Sequence, residues 1–241
     1  LFVAHLYFNL DVEGKSHMNK RTLAQSLFAA TSLFFIITPS FGEPQNLDSL
    51  KTELQSYHDT GAYDKELAQV VKQAETYINV KVETNKKAEK PARLALVLDI
   101  DETTLSNYKG IIKRKFCEDQ KMINRDINKA NATAIIPMLA LYKDARKHNV
   151  AIFFVTGRRP KFQRSTERNL KHAGYTRWHG LYFRPKQDKN QSVIPYKTQV
   201  RANITHKGYT IIASIGDQTS DLTGGYAEKT FKLPNPYYHL P

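Results

Sequence analysis

The chain of 241 residues predicts an α/β fold, a parallel sheet flanked by helices. Three apolar runs of strand length, at 94–98, 150–155 and 209–215, suit strands buried on both faces of such a sheet. Between them lie helix-like segments that open near a proline or close at a glycine, an alternation that makes successive strands parallel. The runs also end alike. Asp99 and Asp101 follow the first, Thr156-Gly157-Arg158 the second, and Gly216-Asp217-Gln218-Thr219-Ser220-Asp221 the third. In open parallel sheets ligands bind at the carboxyl ends of the strands, so these polar residues are the candidate site.

In chain order, residues 18–42 read as a secretory signal. Met18-Asn19-Lys20-Arg21 is a basic start, 27–37 an apolar stretch, and Ser40 and Gly42 the small residues of a cleavage site after Gly42. The apolar stretch is too short for a lasting membrane span, and no cysteine stands at the cleavage site to carry a lipid. Residues 1–17 read as sequence upstream of the start at Met18. The mature part, 43–241, is then expected in the periplasm or secreted.

Segments 47–58 and 62–82 predict helices separated by Gly61. In the second, Leu67, Val70, Val71, Ala74, Tyr77 and Ile78 form a stripe that faces a core. The first core strand follows a polar linker. Residues 105–134 then break the pattern, being polar and carrying Lys109, Lys113, Arg114, Lys115, Lys121 and Arg125. Such a stretch fits a small cap over a site or a surface loop with helical turns. Helices at 137–148, 160–173 and 195–206, and short strands at 181–184 and 230–233, complete the expected order.

Lys+Arg 36 against Asp+Glu 23 give a formal charge of +13, which favours anionic partners such as phosphate esters or anionic polymers. The bases are scattered, with no arginine-rich arm and no basic recognition helix, so specific nucleic-acid reading is not expected. The single cysteine, Cys117, allows no internal disulfide. His148, His172, His179 and His206 fall in no catalytic pattern.

Two carboxylates at one strand end repel each other unless a cation or a shared proton compensates. Alone, Asp99-x-Asp101 fits a solvated acidic turn as well as a site. With Thr103, Thr156, Lys197 and the Asp217/Asp221 pair in the same order, the sequence resembles the haloacid dehalogenase-like (HAD) superfamily of phosphohydrolases. The stretches FFVTGR, YKTQVR, GDQTSDL and FKLPNPYY resemble its acid phosphatase branch, which includes plant vegetative storage proteins and bacterial secreted acid phosphatases. The resemblance covers about residues 47 to 238.

It implies a HAD-like (Rossmann-type) parallel sheet with N-terminal helices and a small cap insertion. It implies hydrolysis of phosphomonoesters with Asp99 as nucleophile and Asp101 as general acid and base. Mg²⁺ is expected on the Asp99 and Asp217 side chains and the Asp101 main-chain carbonyl. Asp221, four residues beyond Asp217, would share a helical face with it and orient the metal's waters. Thr156, Gly157 and Lys197 would hold the phosphoryl oxygens. Arg158 is open between a phosphate contact and a salt bridge to the carboxylates. Three variants remain: a nucleotidase with Tyr108 and Phe116 stacking on a base, a phosphotransferase, and a non-enzymatic storage relative. Retention of Asp99 opposes the last. Trp178 and Tyr182 are expected to serve packing.

Overall fold

The structure, a computed structural model, describes residues 43–185 and 192–240. The expected signal at 18–42 and the stretch 1–17 lie outside the described residues.

The apolar runs become the strands of one parallel sheet. β1 (Arg93–Leu98) lies at its centre, with β4 (Ala151–Thr156) on one side and β6 (Tyr209–Gly216) on the other. β5 (Gly180–Phe183) and β7 (Lys229–Lys232) pair outside these, giving the order β5-β4-β1-β6-β7. The chain thus leaves β1 toward one edge and later returns to build the other, which opens a crevice beyond the carboxyl ends of β1, β4 and β6. Register brings those ends level: Leu98 pairs with Phe154 and with Ile215, and the Asp99 amide donates to the Ile215 carbonyl at 3.0 Å.

Side chains alternate between two cores, as a pleated strand requires. Leu96, Leu98, Ile152 and Phe154 face one with α2 (Ala62–Lys86) and α5 (Ile136–Lys147), while Ala95, Val97, Phe153 and Val155 face the other with Val200 and Ile204 of α7 (Ile194–His206). In α2 the buried stripe is longer than the sequence pattern suggests, running from Tyr63 through Leu67, Val71, Ala74 and Ile78 to Val82. α1 (Leu47–Asp59) is capped by the Asn46 side chain, which accepts from the Asp48 amide at 2.9 Å, and it buries no residue of its own. Gly61, at φ +80°, makes the left-handed turn between the two helices.

The polar stretch 105–134 is neither a plain loop nor unstructured. Leu105–Ser106 (β2) and Thr133–Ala134 (β3) pair antiparallel, so the insertion leaves and rejoins the core at one neck. Between them stand α3 (Tyr108–Lys113) and α4 (Gln120–Lys129), the latter packed on α6 (Gln163–His172). Asp119 caps α4 by accepting from the Met122 amide at 2.9 Å. The sparse apolar residues Leu105, Tyr108 and Ile111 are buried, which is why so polar a segment still docks. Trp178 packs edge-on against Phe154, and Tyr182 lies against Phe153, as expected of packing residues. No helix among the described residues is long and apolar enough to cross a membrane.

Candidate functional site

Asp99, Thr156 and Asp217 arrive at the sheet's carboxyl edge from β1, β4 and β6, and Lys197 reaches it from the first turns of α7. All four are buried. The Lys197 ammonium donates to Asp99 Oδ1 at 2.7 Å and also to Asp221 Oδ1. Carboxylate oxygens of Asp99, Asp217 and Asp221 lie within 4.8 Å of one another.

Asp221 reaches this cluster by a route other than the shared helical face that its spacing suggests. No helix places it beside Asp217. A 3₁₀ turn, Thr219–Asp221, folds the chain back so that the Gln218 amide donates to Asp221 Oδ2 at 3.0 Å. The carboxylate lies against Gly216, where any Cβ would collide with it, so the glycine is needed for close approach. The turn is held from below by Arg201, almost fully buried, which donates to the carbonyls of Asp221 (3.2 Å), Thr223 and Gly225 (2.9 Å).

Asp101 stands apart from the three-acid cluster. Arg158 grips its carboxylate through Nε (3.0 Å to Oδ2) and Nη2 (2.7 Å to Oδ1), and Asn107 Nδ2 adds a bond of 2.8 Å. Arg158 is itself braced by Thr166 of α6 at 3.1 Å. Of the two readings of Arg158, the structure shows the salt bridge to the carboxylate. Thr156 Oγ1 accepts from the Arg158 amide at 3.2 Å and keeps its own proton to donate. Nothing crowds Gly157 on its side-chain face.

The electrostatics separate the acids. Burial pushes Asp99 well above the usual carboxylate range; Lys197 opposes this, and the charges of Asp221 and Asp217 add to it. Asp217 is also raised, by burial first and then by Asp221, against hydrogen bonds from Asn235 and Gln218. Burial raises Asp101 too, but there the Arg158 charge and hydrogen bonds win, and it falls below its ordinary value. Glu102 is pushed up to about 8, by burial and then by the Asp101 charge. Burial would lower Lys197, yet Asp99 and Asp221 hold it above its ordinary value.

Three carboxylates facing one ammonium carry an excess of negative charge in a buried place. Hard oxygen donors with that balance fit a divalent cation of the Mg²⁺ or Ca²⁺ kind. The residues present therefore suit the expected metal, with Asp221 belonging to the oxygen cluster itself rather than only behind it.

Several further residues reach the site without having been singled out by motif or spacing. Asn107, Glu102, Gln218 and Asn235 all bond to site carboxylates or to one another. Glu102 lies inside the Asp-rich motif, so its burial had a signal in position; Gln218 and Asn235 had only their place in the stretches GDQTSDL and FKLPNPYY. The two aromatics of the nucleotidase variant both have protein neighbours. Tyr108 stacks on His58 and bonds to Asp59 at 2.9 Å, so it is packed among neighbours of its own; Phe116 lies against Tyr237.

The HAD superfamily, subfamily IIIB (acid phosphatase) model matches residues 42–241. The chain belongs to this acid phosphatase family. Over 152 residues it is 40% identical to the stem 28 kDa glycoprotein of Glycine max, covering 60% of this chain and 59% of that one. It is 32% identical over 148 residues to acid phosphatase 1 of Solanum lycopersicum, covering 60% and 58%. The matches thus span somewhat under two thirds of these relatives. Among solved structures, the class C acid phosphatase from Bacillus anthracis aligns with a TM-score of 0.64 over 80% of this chain and 86% of that one. At 20% identity that likeness speaks for the fold, an α/β HAD-like architecture.

Proposed function

We propose that this subfamily IIIB chain is a Mg²⁺-dependent acid phosphatase that hydrolyses phosphomonoesters through an aspartyl-phosphate on Asp99. The observation that carries the reading is the buried cluster of Asp99, Asp217 and Asp221 around Lys197 at the carboxyl edge of the sheet.

In the first step an Asp99 oxygen attacks phosphorus while the bond to the leaving oxygen breaks, and the Asp101 carboxyl gives its proton to that oxygen. In the second, water attacks the same phosphorus, Asp101 takes a proton from it, and the bond to Asp99 breaks to release phosphate. Lys197, Thr156 and the Gly157 amide hold the phosphoryl oxygens and oppose the charge that grows on them. A Mg²⁺ held by Asp99, Asp217 and the Asp101 carbonyl, with Asp221 beside them, would offset the repulsion between phosphate and carboxylates.

The docked insertion 105–134 would act as a cap, limiting water at the phosphoryl group. Its Tyr108 gives a nucleotide no support as a stacking platform, because its ring is engaged with His58. Simple phosphomonoesters are the favoured substrates. Export is part of the proposal, supported by the signal-like residues 18–42 and by a relative named as a glycoprotein.

The test is a panel of phosphate esters assayed with and without EDTA. Chelation should silence the enzyme, and added Mg²⁺ should restore it. Full activity in excess EDTA, with no metal found by elemental analysis, would contradict the metal requirement.

A further inference from the structure

Residues 235–240 touch the site at three points. Asn235 Nδ2 donates to Asp217 Oδ2 at 2.7 Å, while its Oδ1 accepts from the Tyr237 amide at 2.9 Å. The side chain is therefore used at both ends, and its orientation is fixed. Neither aspartate nor alanine supplies both bonds.

Five residues beyond Asn235, the Leu240 amide donates to Gln218 Oε1 at 2.9 Å, which leaves Gln218 Nε2 to donate to Asp217 Oδ2 at 2.6 Å. Asp217 is thus held through Oδ2 by two amides, both set by this segment. Its Oδ1 accepts from Thr103 at 3.0 Å.

The third contact goes to the other side of the site. Tyr238 donates its hydroxyl proton to Glu102 Oε2, and Glu102 Oε1 accepts from the Asn107 amide at 2.7 Å. Asn107 then donates to Asp101 Oδ1 at 2.8 Å. Glu102 holds a left-handed backbone, φ +56°, a conformation uncommon for a side-chain-bearing residue and tolerated where surroundings fix it. The buried Tyr237 ring, packed against Tyr63 and Tyr108, anchors the segment between the Asn235 and Tyr238 contacts.

We propose that residues 235–240 form a positioning strap, in which Asn235 and Gln218 aim Asp217 at the metal and Tyr238, through Glu102 and Asn107, aims Asp101 at the leaving group. The proposal rests on the site reading given above. A plain tether for the segment would need none of these contacts to end on a site carboxylate. Groups that orient metal ligands and catalytic acids act on affinity and on proton transfer without touching substrate.

The experiment compares the parent with Asn235→Ala and Tyr238→Phe. Mg²⁺ binding is read by calorimetry without substrate, and kcat/KM on an alkyl phosphate and on p-nitrophenyl phosphate, with melting temperatures alongside. Asn235→Ala should bind Mg²⁺ about tenfold more weakly. Tyr238→Phe, which removes one hydroxyl and keeps the ring, should leave Mg²⁺ affinity within about twofold and lose more kcat/KM on the alkyl ester than on the nitrophenyl ester.

A parent that binds no Mg²⁺ overturns the site reading and the metal-aiming role with it. A parent that binds Mg²⁺ while Asn235→Ala binds it equally well overturns the strap alone. Equal losses, or none, on the two esters for Tyr238→Phe overturn the second limb, and that comparison stands even if Asn235→Ala does not fold.

Discussion

Asp99→Asn is expected to lower turnover on the order of 10⁴-fold or more, since a carboxamide does not form the covalent link to phosphorus that divides the hydrolysis into two steps. The change is nearly isosteric. It keeps the backbone bond from residue 99 to Ile215 and leaves Lys197 its partner Asp221. Folding should therefore survive, with a melting temperature within a few degrees of the parent and an unchanged circular dichroism spectrum. Steady-state rates from a preparation free of host phosphatase check the prediction. Substantial residual turnover in a folded variant would remove Asp99 from the nucleophile's role.

Asp101→Asn should divide substrates by leaving group. On alkyl phosphates, whose alkoxide needs a proton, kcat/KM should fall about 10²- to 10³-fold; on p-nitrophenyl phosphate the loss should be about tenfold or less. The comparison uses kcat/KM because it reports the first irreversible step, before the shared hydrolysis of the intermediate. Arg158 adds a pH consequence. By holding Asp101 below its ordinary value, it keeps the acid form dominant only at low pH. The rate on alkyl esters should therefore decline as pH rises through the Asp101 pKa, placing the optimum on the acid side of neutrality. Equal losses of Asp101→Asn on both esters would leave Asp101 as a structural or metal-orienting residue.

What the sequence makes legible follows from how local the cause is. The strand ends are readable because a run such as Ala95–Leu96–Val97–Leu98 must be buried, and the polar residues just after it must sit at the edge. Lys197 is readable only in company, since a lone lysine on a helix is usually solvated. The turn that carries Asp221 is hidden because spacing of four fits a helix as well as a 3₁₀ return; Gly216 and the Arg201 bonds decide between them. Arg158 is hidden because its choice between phosphate and carboxylate depends on Thr166 bracing it from α6. Asn235 lies 18 residues from the carboxylate it orients, and nothing in its neighbourhood shows the pairing of β6 with β7 that brings them together. The insertion at 105–134 is legible as a break in pattern, but its docking is not. Its few buried residues, Leu105, Tyr108 and Ile111, are diluted among charged ones, and the neck that closes it is only two residues long on each side.

The covalent step itself can be seen by trapping. A single turnover of p-nitrophenyl phosphate on Asp101→Asn, in which hydrolysis of the intermediate lacks its base, is quenched in acid and digested for mass spectrometry. The peptide holding Asp99 should carry one phosphoryl group, and the same peptide from Asp99→Asn should carry none. A phosphoryl group on any other residue, or a turning-over enzyme that never shows one, would contradict an aspartyl-phosphate on Asp99.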